Sequence, residues 1–425
     1  MKARTAFVTG GTGFLGSFLI SSLLRKGYQV IALVRGPDPV QRLHRVVREA
    51  SDHLLGEQEL RESLVVVQGE VQHDGFGLSL DTQAGLARAV DEIWHCATSF
   101  KYQEHDREVA RAHNVDGAQH VLDFASRCDK RGGVRLFHLS TVCAAPVRDG
   151  VAQEELAPEG SPYRNLYEWS KRKAEQVVMR YRQEQRCPIL ILRPSIITGH
   201  SLTGKATRFN GYYGVLRALA LLVRNFEANL GREFDHNLRL RILANPHLGL
   251  NLVPVDFVVE AMWQLSRLDV VEKTNEGIFH LANEKAIPLA DLFCVAADML
   301  QVTGIDLVEA QSFQRKPMSG LERLFHHRAQ FQAPYLLDCP HFATTNFRKV
   351  IPVNTLPCPI VGTHTLRQIN HYYLDELDRQ FQAATPPRHT IGRQSRHLAF
   401  QHRPSEERLR GKDTSNTDAG FKQAA

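Results

Sequence analysis

The stretch Thr9-Gly10-Gly11-Thr12-Gly13-Phe14-Leu15-Gly16 decides how this chain is read. It follows a short apolar run, residues 5–9, and opens an apolar helical pattern that continues to Arg25. Gly10, Gly13 and Gly16 stand at GxxGxxG spacing. A pyrophosphate needs close backbone approach, free N–H groups and the positive end of a helix, and glycines here permit all three. Thr12, Phe14 and Leu15 share the turn and are expected to touch the same group. Between an opening strand and a helix, such a turn predicts a dinucleotide site. A mononucleotide P-loop does not fit, because residues 11–17 read GxxxxGS without the lysine.

Working outward, residues 5–9 (TAFVT), 29–34 (QVIALV), 64–68 (LVVVQ), 92–95 (EIWH), 134–139 (VRLFHL) and 189–192 (ILIL) are short and apolar. Strands covered on both faces have this character. Segments 13–25, 40–53, 106–128 and 167–185 carry the pattern of crossover helices. The alternation predicts an α/β fold built on a doubly wound parallel sheet of the Rossmann kind. After Pro194 the rhythm breaks. Residues 199–214 read as a loop-rich insertion, 251–267 as a strand then a helix with Asp256 near its start, and 278–281 (IFHL) as one more strand. The expected organisation is a Rossmann domain of residues 1–198, rejoined by 251–284, with a smaller, interwoven C-terminal substrate lobe of 199–250 and 285–382. Residues 383–425 are expected to be a disordered basic tail.

The 425 residues are 43% hydrophobic and 23% charged, which excludes collagen-like, disulfide-scaffold and fully disordered chains. Seven cysteines without a CxxC spacing read as reduced, mostly buried thiols, with no metal site. No apolar run reaches the roughly 18 residues of a membrane span, and no signal-peptide pattern precedes the first strand. The expectation is a soluble, cytoplasmic protein. Residues 385–425 hold eight Lys/Arg against four Asp/Glu, and so carry four of the six net positive charges. The body is nearly neutral, so no nucleic-acid partner is expected. The tail's surplus suits at most a weak contact with a membrane surface or a partner.

The second strand ends Val34-Arg35-Gly36, where an NAD site usually carries an acid for the ribose 2′-hydroxyl. A carboxylate would repel a 2′-phosphate, whereas a guanidinium pairs with it. NADP(H) is therefore the expected cofactor, with Arg42 or Arg45 as a second cation. Tyr167-Glu168-Trp169-Ser170-Lys171 forms a YxxxK motif that sets both side chains on one helix face. An ammonium beside a phenol favours the phenolate, so the spacing predicts a lowered Tyr167 pKa. Such pairs are common on surfaces; this one precedes the sixth strand of a dinucleotide fold. The fifth strand ends Leu139-Ser140-Thr141, at the sheet edge where ligands bind. A hydroxyl there bonds a substrate oxygen or merely caps the loop.

With these residues in view, the chain resembles the extended short-chain dehydrogenase/reductases. The resemblance rests on GGTGFLG, YxxSKxxAE at Tyr167 to Glu175, LSTV from Leu139 and LRPS from Leu192, and it spans about residues 4–285. Gly75-Phe76-Gly77-Leu78-Ser79, Val253-Pro254-Val255-Asp256 and Arg35 are similar to its thioester-reductase and fatty acyl-CoA reductase (male-sterility-type) branch. The resemblance implies Thr141, Tyr167 and Lys171 as the catalytic set, Lys171 also holding the nicotinamide ribose. It places Pro194, Ser195 and Ile196 at the nicotinamide, and Glu70, with Val71, where an Asp usually contacts adenine. Ala97 falls within Cys96-Ala97-Thr98, where the family has Asn-Ala-Ala. Asn114 matches an Asn that holds active-site backbone and water.

The expected activity is NADPH-dependent reduction of an acyl thioester, on CoA or a carrier protein, to an aldehyde, with a second hydride giving the alcohol. Tyr167 would donate the proton and Thr141 steady the oxyanion. No cysteine is expected to form an acyl-enzyme. Two alternatives are a sugar-nucleotide epimerase/dehydratase or 3β-hydroxysteroid-type dehydrogenase, which an acid at position 35 would have favoured, and a non-catalytic NADP-sensing protein, which typically loses YxxxK. Phe209, Tyr212 and Tyr213 line an acyl pocket or form lobe core, and both readings stay open.

Overall fold

The computed structural model describes residues 3–128, 134–185, 188–268 and 277–384. The basic tail, from residue 385 on, and Cys187 lie outside the described residues. Seven strands form the central sheet: β1 (Thr5–Thr9), β2 (Gln29–Val34), β3 (Leu64–Gln68), β4 (Glu92–His95), β5 (Arg135–Leu139), β6 (Ile189–Pro194) and β7 (Ile278–Leu281). Their spatial order is β3-β2-β1-β4-β5-β6-β7 and every pairing is parallel. The order reverses between β1 and β4, and the crevice at such a switch point is where open α/β sheets bind ligands.

Register brings the strand ends level. Thr9 lies opposite both Leu33 and His95, His95 opposite His138, Leu139 opposite Leu192 and Leu281 opposite Pro194. Helices α1 (Phe14–Arg25) and α2 (Pro39–Ala50) cover one face, packing Leu19, Leu23, Leu43 and Val47 into one buried cluster. The other face is covered by α3 (Gly117–Arg127) and α4 (Leu166–Gln185), which bury Val121, Leu122, Ala174 and Val178 with Phe7 and Ile93.

The expected crossover helix over 106–128 is three pieces: a short turn Arg107–Ala110, a π-helical turn Arg111–Asp116, then α3. Helical turns at 57–63 and 80–89 were not anticipated. Phe76 sits in left-handed backbone (φ 61°) between Gly75 and Gly77. Its ring is fully buried against Phe7 and Phe124, and its carbonyl accepts from the Glu70 N–H at 3.1 Å. Left-handed backbone costs a bulky residue roughly 1–3 kcal/mol, offset here by burial.

Beyond β6, a separate buried cluster gathers α5 (Tyr212–Leu230), the strands Asn237–Leu243 and Thr303–Val308, and the helices Leu289–Met299, Gly320–Arg328 and Thr363–Ala384. Between its two halves the chain returns to the sheet through α6 (Val255–Arg267) and β7. None of the described helices is long and apolar enough to cross a membrane.

Candidate active site

The strand ends, the turns after them and the second cluster enclose one cleft of about 570 Å³. Gly10, Thr12, Gly13, Phe14, Leu15, Gly16, Arg35, Arg42, Glu70, Val71, Ala97, Thr141, Tyr167, Lys171, Pro194, Ser195 and Ile196 all line it. Arg45 does not; it is exposed on the outer side of α2. Phe209 and Tyr213 pack with Tyr373 in the lobe core, while the Tyr212 ring reaches the cleft.

At Gly10 (φ +74°) a Cβ would come within 2.6 Å of the Ala97 nitrogen. At Gly16 it would come within 2.2 Å of the Gly10 carbonyl oxygen. Only glycine permits this crossing of β1, the β4 turn and α1. No side chain caps the first turn of α1, and none there is acidic, so its N–H groups keep their affinity for an anion.

Arg35 stands exposed at the end of β2, its Nη1 3.0 Å from His113 Nε2. His113 Nδ1 lies 3.0 Å from the Val109 carbonyl. A carbonyl only accepts and a guanidinium only donates, so the imidazole is protonated on Nδ1 and accepts from Arg35 on Nε2. Arg42 donates to the Arg35 and Pro37 carbonyls, at 2.8 and 3.0 Å, and braces this turn. Glu70 is held by Gln72 Nε2 at 2.8 Å, beside Val71.

The π turn carries Asn114. Its Oδ1 accepts from the Ser99 N–H (2.7 Å) and Thr98 hydroxyl (3.2 Å), and its Nδ2 donates to the Ser99 carbonyl (3.0 Å) and Ser170 Oγ (2.8 Å). One amide thus ties the β4 loop to α4, the helix that presents Tyr167 and Lys171. Lys171 is buried and its Nζ donates to the Leu139 carbonyl at 2.6 Å. Burial lowers its pKa to about 8, against the pull of Glu175. Burial, with Lys171 near, pushes His95 down to about 3 and His138 well below the usual imidazole range, so both are neutral.

The Tyr167 ring is half-buried between Phe100 (centroids 5.2 Å apart) and Tyr102 (5.9 Å). Burial, then Tyr102, Cys143 and Glu168, pushes its hydroxyl well above the usual phenol range, against a hydrogen bond with Thr141. This corrects the lowering read from the YxxxK spacing. Desolvation dominates, and the Lys171 ammonium is engaged by the Leu139 carbonyl. Thr141 Oγ also caps a short turn by accepting from the Cys143 N–H at 3.3 Å, so the hydroxyl has both the capping and the cleft-facing position.

Residues 8–262 match the family model described as Male sterility protein, an NAD-binding family. The chain belongs to this family. It is 33% identical over 208 residues to the aldehyde reductase lnaA of Aspergillus flavus, covering 47% of this chain and 20% of that one. It is 28% identical over 302 residues to the glycine betaine reductase ATRR of Emericella nidulans, covering 68% of this chain and 22% of that one. The chain thus spans about a fifth of the length of these curated relatives. The terminal R domain from the myxalamid PKS-NRPS biosynthetic pathway matches with a TM-score of 0.70 at 24% identity, covering 90% of this chain and 92% of that one. That likeness shows the fold.

For a male-sterility-family chain the cleft fits the implied nicotinamide dinucleotide. Its glycine cradle has no room for a Cβ, and the buried Ser140 and Ser195 hydroxyls have no partner among the described residues. Past Tyr167 the cleft becomes an aromatic chamber, with Phe331 stacked on Tyr102 at 4.9 Å. Tyr335 closes it; its hydroxyl donates to Glu168 Oε1 (3.0 Å) and accepts from Asn165 Nδ2 (2.9 Å). Phe331 and Tyr335 come from more than 160 residues beyond Tyr167, and nothing local marks them. Phe100 and Tyr102 had a signal, an alternating aromatic pair just after β4. Cys96 and Cys143 also line the cleft, and burial pushes the Cys143 thiol up to about 11. It is a neutral, weakly nucleophilic group. Of the six described cysteines, Cys96 and Cys128 are buried and Cys294 is exposed, so burial is less general than expected.

Proposed function

We propose that the chain is an NADPH-dependent acyl-thioester reductase that forms an aldehyde. The observation that carries this is the convergence of Thr141, Tyr167 and Lys171 with the glycine cradle and Arg35 on one cleft that opens into an aromatic chamber. The reductase names of the relatives support it.

Gly10, Gly13 and Gly16 would hold the diphosphate, Arg35 the 2′-phosphate, Glu70 and Val71 the adenine end, and Pro194, Ser195 and Ile196 the nicotinamide end. When bound, NADPH supplies the hydride. Tyr167, kept neutral by its surroundings, donates its proton to the thioester carbonyl oxygen as charge develops there. Thr141 donates a second hydrogen bond to that oxygen. Lys171 sets a positive charge near the phenolate that remains. The resulting hemithioacetal loses its thiol and leaves the aldehyde. The aromatic chamber takes the apolar acyl chain, and the neutral Cys143 has no covalent part. A second round would carry the aldehyde to the alcohol.

Loss of NADPH absorbance during incubation with acyl-CoA and acyl-carrier thioesters of graded chain length tests the reading, with the aldehyde trapped as a hydrazone. Oxidation of sugar-nucleotide or sterol alcohols, with no thioester turnover, would overturn it.

A further inference from the structure

The cleft contains one cation that neither the sequence nor the proposed chemistry uses. Among the cleft-lining residues the Lys and Arg side chains are Arg35, Arg42, Lys171 and Arg208. Arg35 stands in the turn after β2, Arg42 braces that turn from α2, and Lys171 is bound to Leu139 beside Tyr167. That leaves the middle of the site, where a dinucleotide carries two diphosphate charges. The glycine loop offers N–H groups and a helix terminus equivalent to about half a charge. It has no lysine. Arg208 reaches it, with Nε donating to the Thr12 carbonyl at 3.1 Å.

The segment that delivers Arg208 is fastened along its length. Asp256, in the first turn of α6, accepts from the Ser201 N–H (2.8 Å) and hydroxyl (2.6 Å). Gly204 (φ +69°) closes a turn by donating to the His200 carbonyl at 2.8 Å, and a Cβ there would come within 2.3 Å of the Gln368 carbonyl. Lys205 pairs with Asp52 at 2.6 Å, and Thr207 Oγ1 meets Ser17 Oγ of α1 at 3.0 Å. Arg208 follows directly. Among the described residues it has no carboxylate partner, so its guanidinium carries an uncompensated charge over the loop.

We propose that Arg208 is a phosphoryl ligand of this site, neutralising the dinucleotide diphosphate from the side opposite the glycine loop. The proposal rests on the dinucleotide-binding part of the function proposed above. It assigns the strap from Gly199 to Arg208 to cofactor binding, and it makes Ser201 and Asp256 positioning residues. It also separates two jobs: Arg35 reads the 2′-phosphate, and Arg208 serves the diphosphate common to both nicotinamide cofactors. A bidentate guanidinium suits two adjacent phosphoryl oxygens.

Calorimetric titration of wild type and Arg208→Gln with ADP-ribose, which has the diphosphate, and 2′-AMP, which lacks it, tests the assignment. Arg208→Gln is expected to weaken ADP-ribose about tenfold or more and to leave 2′-AMP within about twofold. NADPH and NADH should weaken by the same factor. Unchanged ADP-ribose affinity overturns the proposal, as does an equal loss for 2′-AMP, which would mean a misfolded site. A third probe, 4′-phosphopantetheine, covers the carrier arm as the phosphate source. If Arg208→Gln weakens that probe and spares ADP-ribose, the proposal fails. A wild type that binds neither ADP-ribose nor NADPH removes the cofactor reading and this proposal together; a wild type and variant that bind ADP-ribose alike remove this proposal alone.

Discussion

Arg193 and Glu175 form a bidentate ion pair in which neither side chain is exposed to solvent: Nε to Oε1 at 2.8 Å and Nη2 to Oε2 at 2.7 Å. The pair joins β6 to α4 one turn past Lys171. Arg193 also donates to the Gln153 and Glu155 carbonyls, at 3.2 and 2.9 Å, and its Nη1 meets His280 Nε2 at 3.2 Å. Removing one partner leaves a buried charge uncompensated, which costs about 3–5 kcal/mol. Glu175→Gln should therefore lower the urea midpoint with an unchanged m-value. Glu175→Leu combined with Arg193→Met should lose less than the sum of the single changes. A loss below about 1 kcal/mol for Glu175→Gln would show that the pair is incidental.

Arg35→Ala should separate the two nicotinamide cofactors. A charge-assisted phosphate contact is worth about 1.5–3 kcal/mol, so NADPH affinity should fall tenfold or more while NADH changes little. Tryptophan-quench titrations of both proteins with both cofactors decide it. Equal wild-type affinities would remove the 2′-phosphate role from Arg35.

Tyr167→Phe deletes one hydroxyl and keeps the ring's stack on Phe100. General acid catalysis contributes about 10²–10⁴-fold, so turnover should drop by that order with NADPH binding nearly intact. Thr141→Ala should behave alike but more mildly, and it also loses the cap on the Cys143 N–H. Lys171→Ala should weaken NADPH as well as turnover. Wild-type turnover in Tyr167→Phe would leave the site without its proton donor.

Lys171 also predicts a pH signature. Its amine titrates at about 8 when folded, against 10.5 in an unfolded chain. Between these values the unfolded chain binds the extra proton, so this group makes stability rise from pH 8 to 10.5; below pH 8 its full cost is present and constant. Unfolding free energies of wild type minus Lys171→Met should accordingly grow by on the order of 2–3 kcal/mol across that window. Parallel pH profiles for the two proteins would contradict the buried ammonium.

Every strand of the parallel sheet was legible, because buried parallel strands announce themselves as short apolar β-branched runs. The residues proposed for the cofactor side of the cleft were legible for a related reason: Gly10, Gly13, Arg35, Tyr167 and Lys171 each stand at a fixed offset from a strand or within one helix turn, and all line the cleft. What escaped notice depends on long-range packing. Arg208 reaches the glycine loop across 196 positions of chain, and Tyr335 meets Glu168 across 167. The π turn that aims Asn114 interrupts a pattern that locally reads as one helix. The sign of the Tyr167 shift was misjudged because spacing conveys the neighbouring charge and not the burial.

Tyr335 gives this last contact a practical meaning. Its ring walls the chamber where an acyl chain would lie, while its hydroxyl grips the acid next to Tyr167 on α4. Selectivity and reactivity therefore share a fastening. An engineer who replaced the segment around Tyr335 to accept another chain would also loosen the helix that carries the proposed proton donor, unless a tyrosine were kept at that place.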